Sequence, residues 1–573
     1  MTTTFDPLVP RPIDLPTPID GELDGAKIIA APDDPADWPA WRDTLVRWRE
    51  GARAGYDGSA YEELTWTQSC FSVALVWLWD ERLYDHDAQR FTPERLLDEA
   101  DRTFGGYDGV VLWHAYPVIG IDERNQFDWY RDVPGIAELV AFFQERGVRV
   151  FVDYNPWDVG TRREQVGDAE AVAEIVRALG ADGVFLDTMK EAMPELRAAL
   201  PDAAFEGEST LSLARIPDHH LSWAQWFADS PVPGVIRARW FEQRHMLHHT
   251  RRWNRSHAEE LRSAWLNGVG MLVWENVFGA WVGWNERDQG LLRGMLAVQR
   301  RHVELLTHGE WTPLAARSES VQVVGSRWRR ADDELWALAN LTDEQFDGDV
   351  SLAGRTISLA LPPLGLAAVT PDGVSVFGGG SHEYPARETA RVEVPLVRVD
   401  RVPDGFVAVE PAPTRARFRR RETGVYGEVP YVEEWKPLPP RLHDFVEVDR
   451  PAPRGRFAIA VREEPVTGLT LAEARTYAAA RGARLPTEDE WQLAAEAGLL
   501  ERNEPLVWNW TESEHTDGRT RFAILKGGSA FRAEGSDWYV DGGPQPPEFS
   551  LQLLLAGPLQ HSPRIGFRLA VDL

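Results

Sequence analysis

VRVFVDYNPWDVGTRREQVGDAEAVAEIVRALGADGVFLDT, residues 148–188, holds the unit from which the fold can be read. Two short apolar runs, VRVFVDYN and DGVFLDT, flank DAEAVAEIVRALG, whose apolar residues recur at helical spacing. Strands buried on both faces read as near-continuous apolar runs, and a helix between two of them makes them parallel neighbours. The unit repeats outward in both directions. FSVALVWLW (71–79) precedes the helical FTPERLLDEADRTFGG, and DGVVLWH (108–114) precedes PGIAELVAFFQERG. PELRAAL follows DGVFLDT and leads to AAFEGES (203–209). GVIRARW (234–240) and VGMLVWEN (269–276), the second running into the helix RDQGLLRGMLAVQRRHVELL, bring the strands to seven. KIIAA (27–31), before DWPAWRDTLVRWREG, supplies an eighth. Eight such units in about 250 residues predict an α/β fold of the (β/α)8, or TIM-barrel, kind. A doubly wound sheet is the runner-up, but no glycine-rich phosphate loop follows a strand.

From about residue 310 the pattern changes. SVQVVGSRWRR, DELWALANL, TISLALPP and LAAVTPDG alternate apolar with polar residues and are separated by Gly, Asp and Pro, which predicts a small antiparallel β-sandwich. GGGSHEYPARE (378–388) reads as a linker. The expected division is a barrel with an N-terminal extension over 1–310, a sandwich and linker over 311–400, and a third region over 401–573.

A chain of 573 residues exceeds one ordinary core, in keeping with several domains. Its 43% hydrophobic and 26% charged residues are those of a soluble globular protein. A net charge of −29 argues against a nucleic-acid partner, because nothing offsets phosphate repulsion. No basic segment followed by an apolar one opens the chain, and no run is long enough to span a bilayer, so a cytoplasmic protein without a membrane partner is expected. The single cysteine, Cys70, sits in the apolar SCFSVALVWLW and reads as a buried, inert thiol. The 25 tryptophans include many beside polar residues, and an indole face suits a sugar ring. Nothing in the sequence indicates an oligomeric state.

Catalytic groups of a (β/α)8 barrel lie at the C-terminal ends of its strands. The polar residues there are Trp113 and His114; Asp153, Asn155, Trp157 and Asp158; Asp187; Glu206 and Glu208; and Glu275 and Asn276, with Trp281 and Trp284 beyond. Several carboxylates on one rim, interleaved with indoles and amides, fit glycosidic cleavage. That reaction needs one carboxyl to protonate the leaving oxygen and another to attack the anomeric carbon or activate water. Each has a bland alternative. Asp153 suits a helix cap or an arginine pair, Glu275 suits a buried pair with Arg237 or Arg239, and His114 suits the core. Asp187 closes an otherwise apolar strand, where an unused carboxylate is costly. Strand alternation sends Glu206 and Glu208 to the same face.

VRVFVDYNPWD and GADGVFLDT resemble strand ends of retaining glycoside hydrolases of the α-galactosidase-like kind, over roughly residues 65–310. The resemblance implies a nucleophilic Asp closing the fourth strand, the place Asp187 occupies. It departs at the acid/base, which that family takes from the sixth strand. GVIRARW offers basic residues there, with Glu242 a little beyond, and this leaves the acid open between Glu208 and Glu275. Position favours Asp187 with Glu208. Neighbouring strands lie about 4.8 Å apart, close to the roughly 5–5.5 Å carboxyl separation of retaining catalysis. Glu275 and the ligand set Trp113, His114, Asp153, Asn155, Trp157, Glu206, Asn276 and Trp281 would then grip the substrate. A desolvated acid should hold its proton near neutral pH.

HMLHH (245–249) places His245 and His249 one turn apart if helical, yet no HExxH pattern follows and RRWNR beside it is cationic. Neither a Walker loop nor GxGxxG occurs, so no cofactor is implied. The third region carries GFVAVEPAP, RETGVYGEVP, ARLPTEDEWQLAA, LVWNWTES, AILKGGSAF and IGFRLA in order. These resemble the formylglycine-generating enzyme (sulfatase-modifying factor) family, which implies a C-type-lectin-like fold, with Thr487 and Glu490 as a capping box. That family's oxidase activity depends on a copper-binding cysteine pair after Gly-Gly-Ser. Here the stretch reads KGGSAFRAEGSDWYVDGG, without cysteine, and copper(I) needs thiolates. The related sulfoxide synthases need iron-binding histidines from a helical bundle, where this chain has a barrel. The reading is therefore a glycoside hydrolase acting on a carbohydrate, with an accessory C-terminal module. A non-catalytic carbohydrate-binding protein is the alternative, and an oxidase the remote one.

Overall fold

The computed structural model describes residues 28–114, 120–156, 161–208, 211–225, 233–250, 256–277, 280–281, 283–383, 389–419, 445–533 and 542–573. Eight parallel strands close into a barrel. They are β1 Ser72–Trp77, β2 Gly109–Trp113, β3 Arg149–Tyr154, β4 Gly183–Leu186, β5 Ala204–Glu208, β6 Leu221–Gln225, β7 Met246–Thr250 and β8 Gly270–Val273. Five run in sequence from β1 to β5, as expected, and VGMLVWEN supplies β8.

Two expected strands are replaced. Val235–Ile236 of GVIRARW pairs antiparallel with Ile28–Ile29 of KIIAA in a ribbon outside the barrel, and Arg237–Phe241 turns into a short helix. The wall is completed instead by LSWAQ (β6) and MLHHT (β7). His249 thus lies in a strand and His245 just before it. Four residues of strand span about 13 Å, so the two imidazoles are not one helical turn apart.

Registered neighbours in parallel strands point to the same side. The pairings Val111↔Phe151, Phe151↔Gly183, Phe185↔Glu206, Glu208↔Trp223 and Trp223↔His248 therefore trace one set of side chains around the barrel. Stacking of Phe185 on Trp223 at 4.8 Å and a 2.6 Å contact between His248 Nδ1 and Glu206 Oε1 mark that side as the interior. Small and large residues alternate to fill it. A Cβ at Gly183 would come within 2.8 Å of the Phe151 ring, and one at Gly270 within 2.8 Å of His248 Cδ2.

Glu310–Phe377 forms the antiparallel region that follows the barrel. It is one seven-stranded sheet rather than two. One face rolls around its own cluster of Trp336, Leu338, Phe346, Val350 and Leu361; the other joins the main core through Trp311, Trp328 and Leu335. Ala390–Arg391, expected within the sandwich-and-linker span 311–400, pairs with Thr516 and His515 of the C-terminal region. There Thr487 and Glu490 do form the expected capping box at the start of the helix Glu488–Glu496.

Buried imidazoles run through the fold. Burial pushes His114 and His515 down to about 3 and His219 and His220 down to about 4. Each lies below the ~6.5 of an unfolded histidine, so unfolding takes up protons in the interval between. The stability these groups contribute is complete above pH ~6.5 and is lost as pH falls toward the folded values. At about 1.4 kcal/mol per pH unit each, four together predict a slope of roughly 5 kcal/mol per pH unit. The urea midpoint should drop steeply between pH 6 and 5; a flat midpoint there would contradict this.

Candidate active site

The mouth of the barrel is where the inward set of side chains reaches the C-terminal strand ends. Asp153 ends β3 on that side, two residues after Phe151. Asp187 follows Phe185 and Glu208 follows Glu206 in the same alternation. Asp187 still belongs to the ladder, since its amide donates to Tyr154 O at 3.0 Å, and the Glu208 amide donates to Met189 O at 2.7 Å. Both side chains are partly exposed. Gly207, between the two β5 glutamates, has no room for a Cβ because the Lys190 carbonyl packs against it. The turn after Asp187 is therefore held against β5.

Around Asp187 the fixing contacts are specific. Asn155 Nδ2 donates to Asp187 Oδ2 at 3.0 Å, and Asn155 Oδ1 receives Thr188 Oγ1 at 3.5 Å. A carboxylate cannot donate, which settles the orientation of the amide. Thr188 itself has φ +63°, a left-handed conformation costly for a β-branched residue. Such strain persists only where surrounding structure imposes it, and it concentrates at functional sites.

The other expected carboxylates are occupied elsewhere. Glu206 is fully buried on His248, whose second nitrogen meets the Cys70 carbonyl at 2.7 Å, so it lies in the barrel floor rather than at the mouth. Burial alone would lower the His248 pKa; the Glu206 carboxylate outweighs it and raises it. Glu275 is not brought to the pair. It is buried against Arg82, with Arg82 Nη1 2.5 Å from Oε2, and Arg82 also makes a bidentate contact with Asp80 at 2.9 Å. Its partner is thus Arg82, not Arg237 or Arg239. Burial would raise Asp80, but the guanidinium holds it below the usual carboxylate range. Removing one member of a buried ion network costs about 3–5 kcal/mol because the rest is left uncompensated. Arg82→Met should lower the unfolding free energy by that amount in urea titration, and a loss below about 1 kcal/mol would show the network to be dispensable.

Asp153 Oδ2 lies 3.4 Å from His114 Nε2, both fully enclosed, and the imidazole is neutral at its depressed pKa. Trp113 is buried and packs edge-on against Trp274 at 5.1 Å. Glu242 precedes β7, at the end of the barrel away from the mouth, where Arg244 and Arg53 hold it. Trp157 and Asp158 lie outside the described residues; Trp281 falls in a ribbon with Asn276. Asn276 Nδ2 donates to Thr520 Oγ1 of the C-terminal module at 2.8 Å.

That contact is one of several. Arg521 Nε reaches Glu81 Oε1 at 2.6 Å and its Nη1 reaches Asp87 at 3.0 Å. Arg519 pairs with Glu99, the Glu81 amide donates to Arg519 O at 2.9 Å, and Arg564 pairs with Glu123. Glu81, Asp87, Glu123 and Asn276 all follow the C-terminal ends of β1, β2 or β8. The module therefore docks on the same face of the barrel as the carboxylate pair, along its β8–β1–β2 side.

The sulfatase-modifying factor enzyme 1-like domain family matches residues 369–506. This is the C-terminal family expected from the sequence motifs. Among solved structures, a debranching enzyme from Nostoc punctiforme is similar at 12% identity and TM-score 0.37, over 55% of this chain and 99% of its own. A maltogenic alpha-amylase from Thermotoga neapolitana is similar at 11% and 0.35, over 55% and 98%. An isomaltulose synthase from Klebsiella sp. LX3 is similar at 10% and 0.35, over 55% and 99%.

Arg82, Gln126, Thr188 and His248 were not singled out in the sequence. Only Arg82 had a local signal: DER directly after the apolar run FSVALVWLW puts charge at a barrel rim.

Proposed function

We propose that the barrel hydrolyses an O-glycosidic bond of a carbohydrate with retention, Asp187 acting as nucleophile and Glu208 as general acid and base. One observation carries this reading. Among the described candidate carboxylates, Asp187 and Glu208 end neighbouring strands on the inward face and stay partly exposed, whereas Asp153, Glu206 and Glu275 are buried against His114, His248 and Arg82.

In the first step the Asp187 carboxylate bonds to the anomeric carbon as the bond to the leaving oxygen breaks and Glu208 gives that oxygen its proton. In the second, Glu208 takes a proton from water, whose oxygen bonds to the anomeric carbon and releases Asp187. Asn155 steadies the developing charge distribution on Asp187 by its donated hydrogen bond. The C-terminal module has no cysteine pair for copper, and its part is that of an accessory bracing the loops after β8, β1 and β2. A screen of aryl glycosides with the purified chain tests the reading. Release of the aryl alcohol with retained anomeric configuration supports it. Sugar binding without turnover would turn the assignment to a carbohydrate-binding protein.

A further inference from the structure

Gln126 lies in the loop between β2 and β3, just before the short helix Asp128–Arg131, and is 2% exposed. Both ends of its amide are spent on the backbone of a single residue. Gln126 Nε2 donates to Asn155 O at 2.7 Å, and the Asn155 amide donates to Gln126 Oε1 at 3.1 Å. Asn155 is the residue whose side chain donates to Asp187. Asn155 comes just after the end of β3 at Tyr154. A two-point clamp at that position fixes the peptide units on both sides of the residue, and with them the direction in which its side chain leaves the backbone.

We infer that Gln126 is a positioning residue for the nucleophile: it clamps the Asn155 backbone so that the Asn155 amide is delivered to Asp187 Oδ2. The inference rests on Asp187 being the nucleophile for its kinetic consequence, though not for its geometry. A hydrogen bond to a carboxylate favours the charged form. Loosening Asn155 therefore weakens the donation and leaves Asp187 protonated to higher pH. Precise placement matters because a misplacement of about 1 Å can cost 10²-fold.

The test compares Gln126→Leu, Asn155→Leu and the double variant in the full chain. Gln126→Leu should lower kcat by roughly tenfold to a hundredfold with KM little changed, and move the acidic limb of the pH–rate profile to higher pH. If Gln126 acts through Asn155, the double variant should be no slower than Asn155→Leu alone. Carbon-13 titration of the Asp187 carboxyl, assigned by its loss in Asp187→Asn, reads the same effect without any substrate. Its midpoint should rise in Gln126→Leu. Gln126→Glu, which keeps the acceptor for the Asn155 amide but loses the donor, serves should the leucine variant not fold, and should also move the midpoint. An unmoved carboxyl titration in a folded variant, or additive losses in the double variant, would overturn the inference. If no glycoside is cleaved by the wild-type chain but the titration shifts, the glycosidase reading fails and the clamp stands.

Discussion

Asp187→Asn should abolish glycoside hydrolysis, by about four orders of magnitude or more, the loss expected when a nucleophile is removed from a reaction that cannot proceed around it. The replacement keeps the volume and the ladder bond from the Asp187 amide to Tyr154 O. An amide can still accept the hydrogen bond that Asn155 Nδ2 donates to Asp187 Oδ2. Folding should accordingly be conserved, with a urea midpoint shift within the ±0.5 kcal/mol of substitutions that break no such feature, and sugar binding should persist. Steady-state kinetics on a substrate turned over by the wild type checks this. Wild-type turnover in the asparagine variant would take Asp187 out of the reaction.

Glu208→Gln should separate the two steps. An acid that protonates the leaving oxygen contributes roughly 10²–10⁴-fold, so poor leaving groups should slow by that factor. Activated aryl groups that depart without a proton should slow far less in the first step and accumulate the glycosyl-enzyme. Added azide, a nucleophile that needs no base, should then speed its breakdown and yield a glycosyl azide. The same loss for every leaving group, with no effect of azide, would assign Glu208 to binding and reopen the acid role. Glu275 is a poor candidate for it, since its 2.5 Å contact with Arg82 would have to break before it could give or take a proton.

The barrel was legible in the sequence wherever a strand is apolar on both faces. β1 to β4 and β8 each show as an apolar run rich in β-branched, aromatic or aliphatic residues, and β5, which carries Glu206 and Glu208 inward, shows by its place after the helical PELRAAL. β6 and β7 were missed because buried polar residues, Ser222 in β6 and His248, His249 and Thr250 in β7, interrupt their apolar ones. Ser222 meets His245 at 2.8 Å, His245 meets Tyr61 at 3.0 Å, and His248 meets Glu206, so a chain of imidazoles and hydroxyls fills positions usually taken by aliphatic side chains. The partners lie 23 to 184 residues apart in sequence, and no local pattern announces them. GVIRARW erred in the opposite direction, its apolar start being a two-residue ribbon with Ile28–Ile29.

The candidate site was legible in part for the same reason. That Asp187 and Glu208 share the inward side follows from period-two alternation, which needs only correct strands. That Glu206 is taken by His248, Glu275 by Arg82 and Asn276 by Thr520 depends on side chains up to 244 residues away. The docking of the C-terminal module on the mouth face rests on Arg519, Thr520 and Arg521, a short polar hairpin tip that reads as an ordinary turn.

Covalent attachment of the sugar to Asp187 is the step that distinguishes retention by this residue from every other course of the reaction. Incubation with 2-deoxy-2-fluoro glycosyl fluorides, matched to a sugar found by the aryl-glycoside screen, stalls the second step of a retaining enzyme. Intact-mass and peptide analysis should then show one sugar added, on the peptide that contains Asp187, and none in Asp187→Asn. A sugar attached to another carboxylate, or release of product with inverted configuration and no adduct, would contradict it.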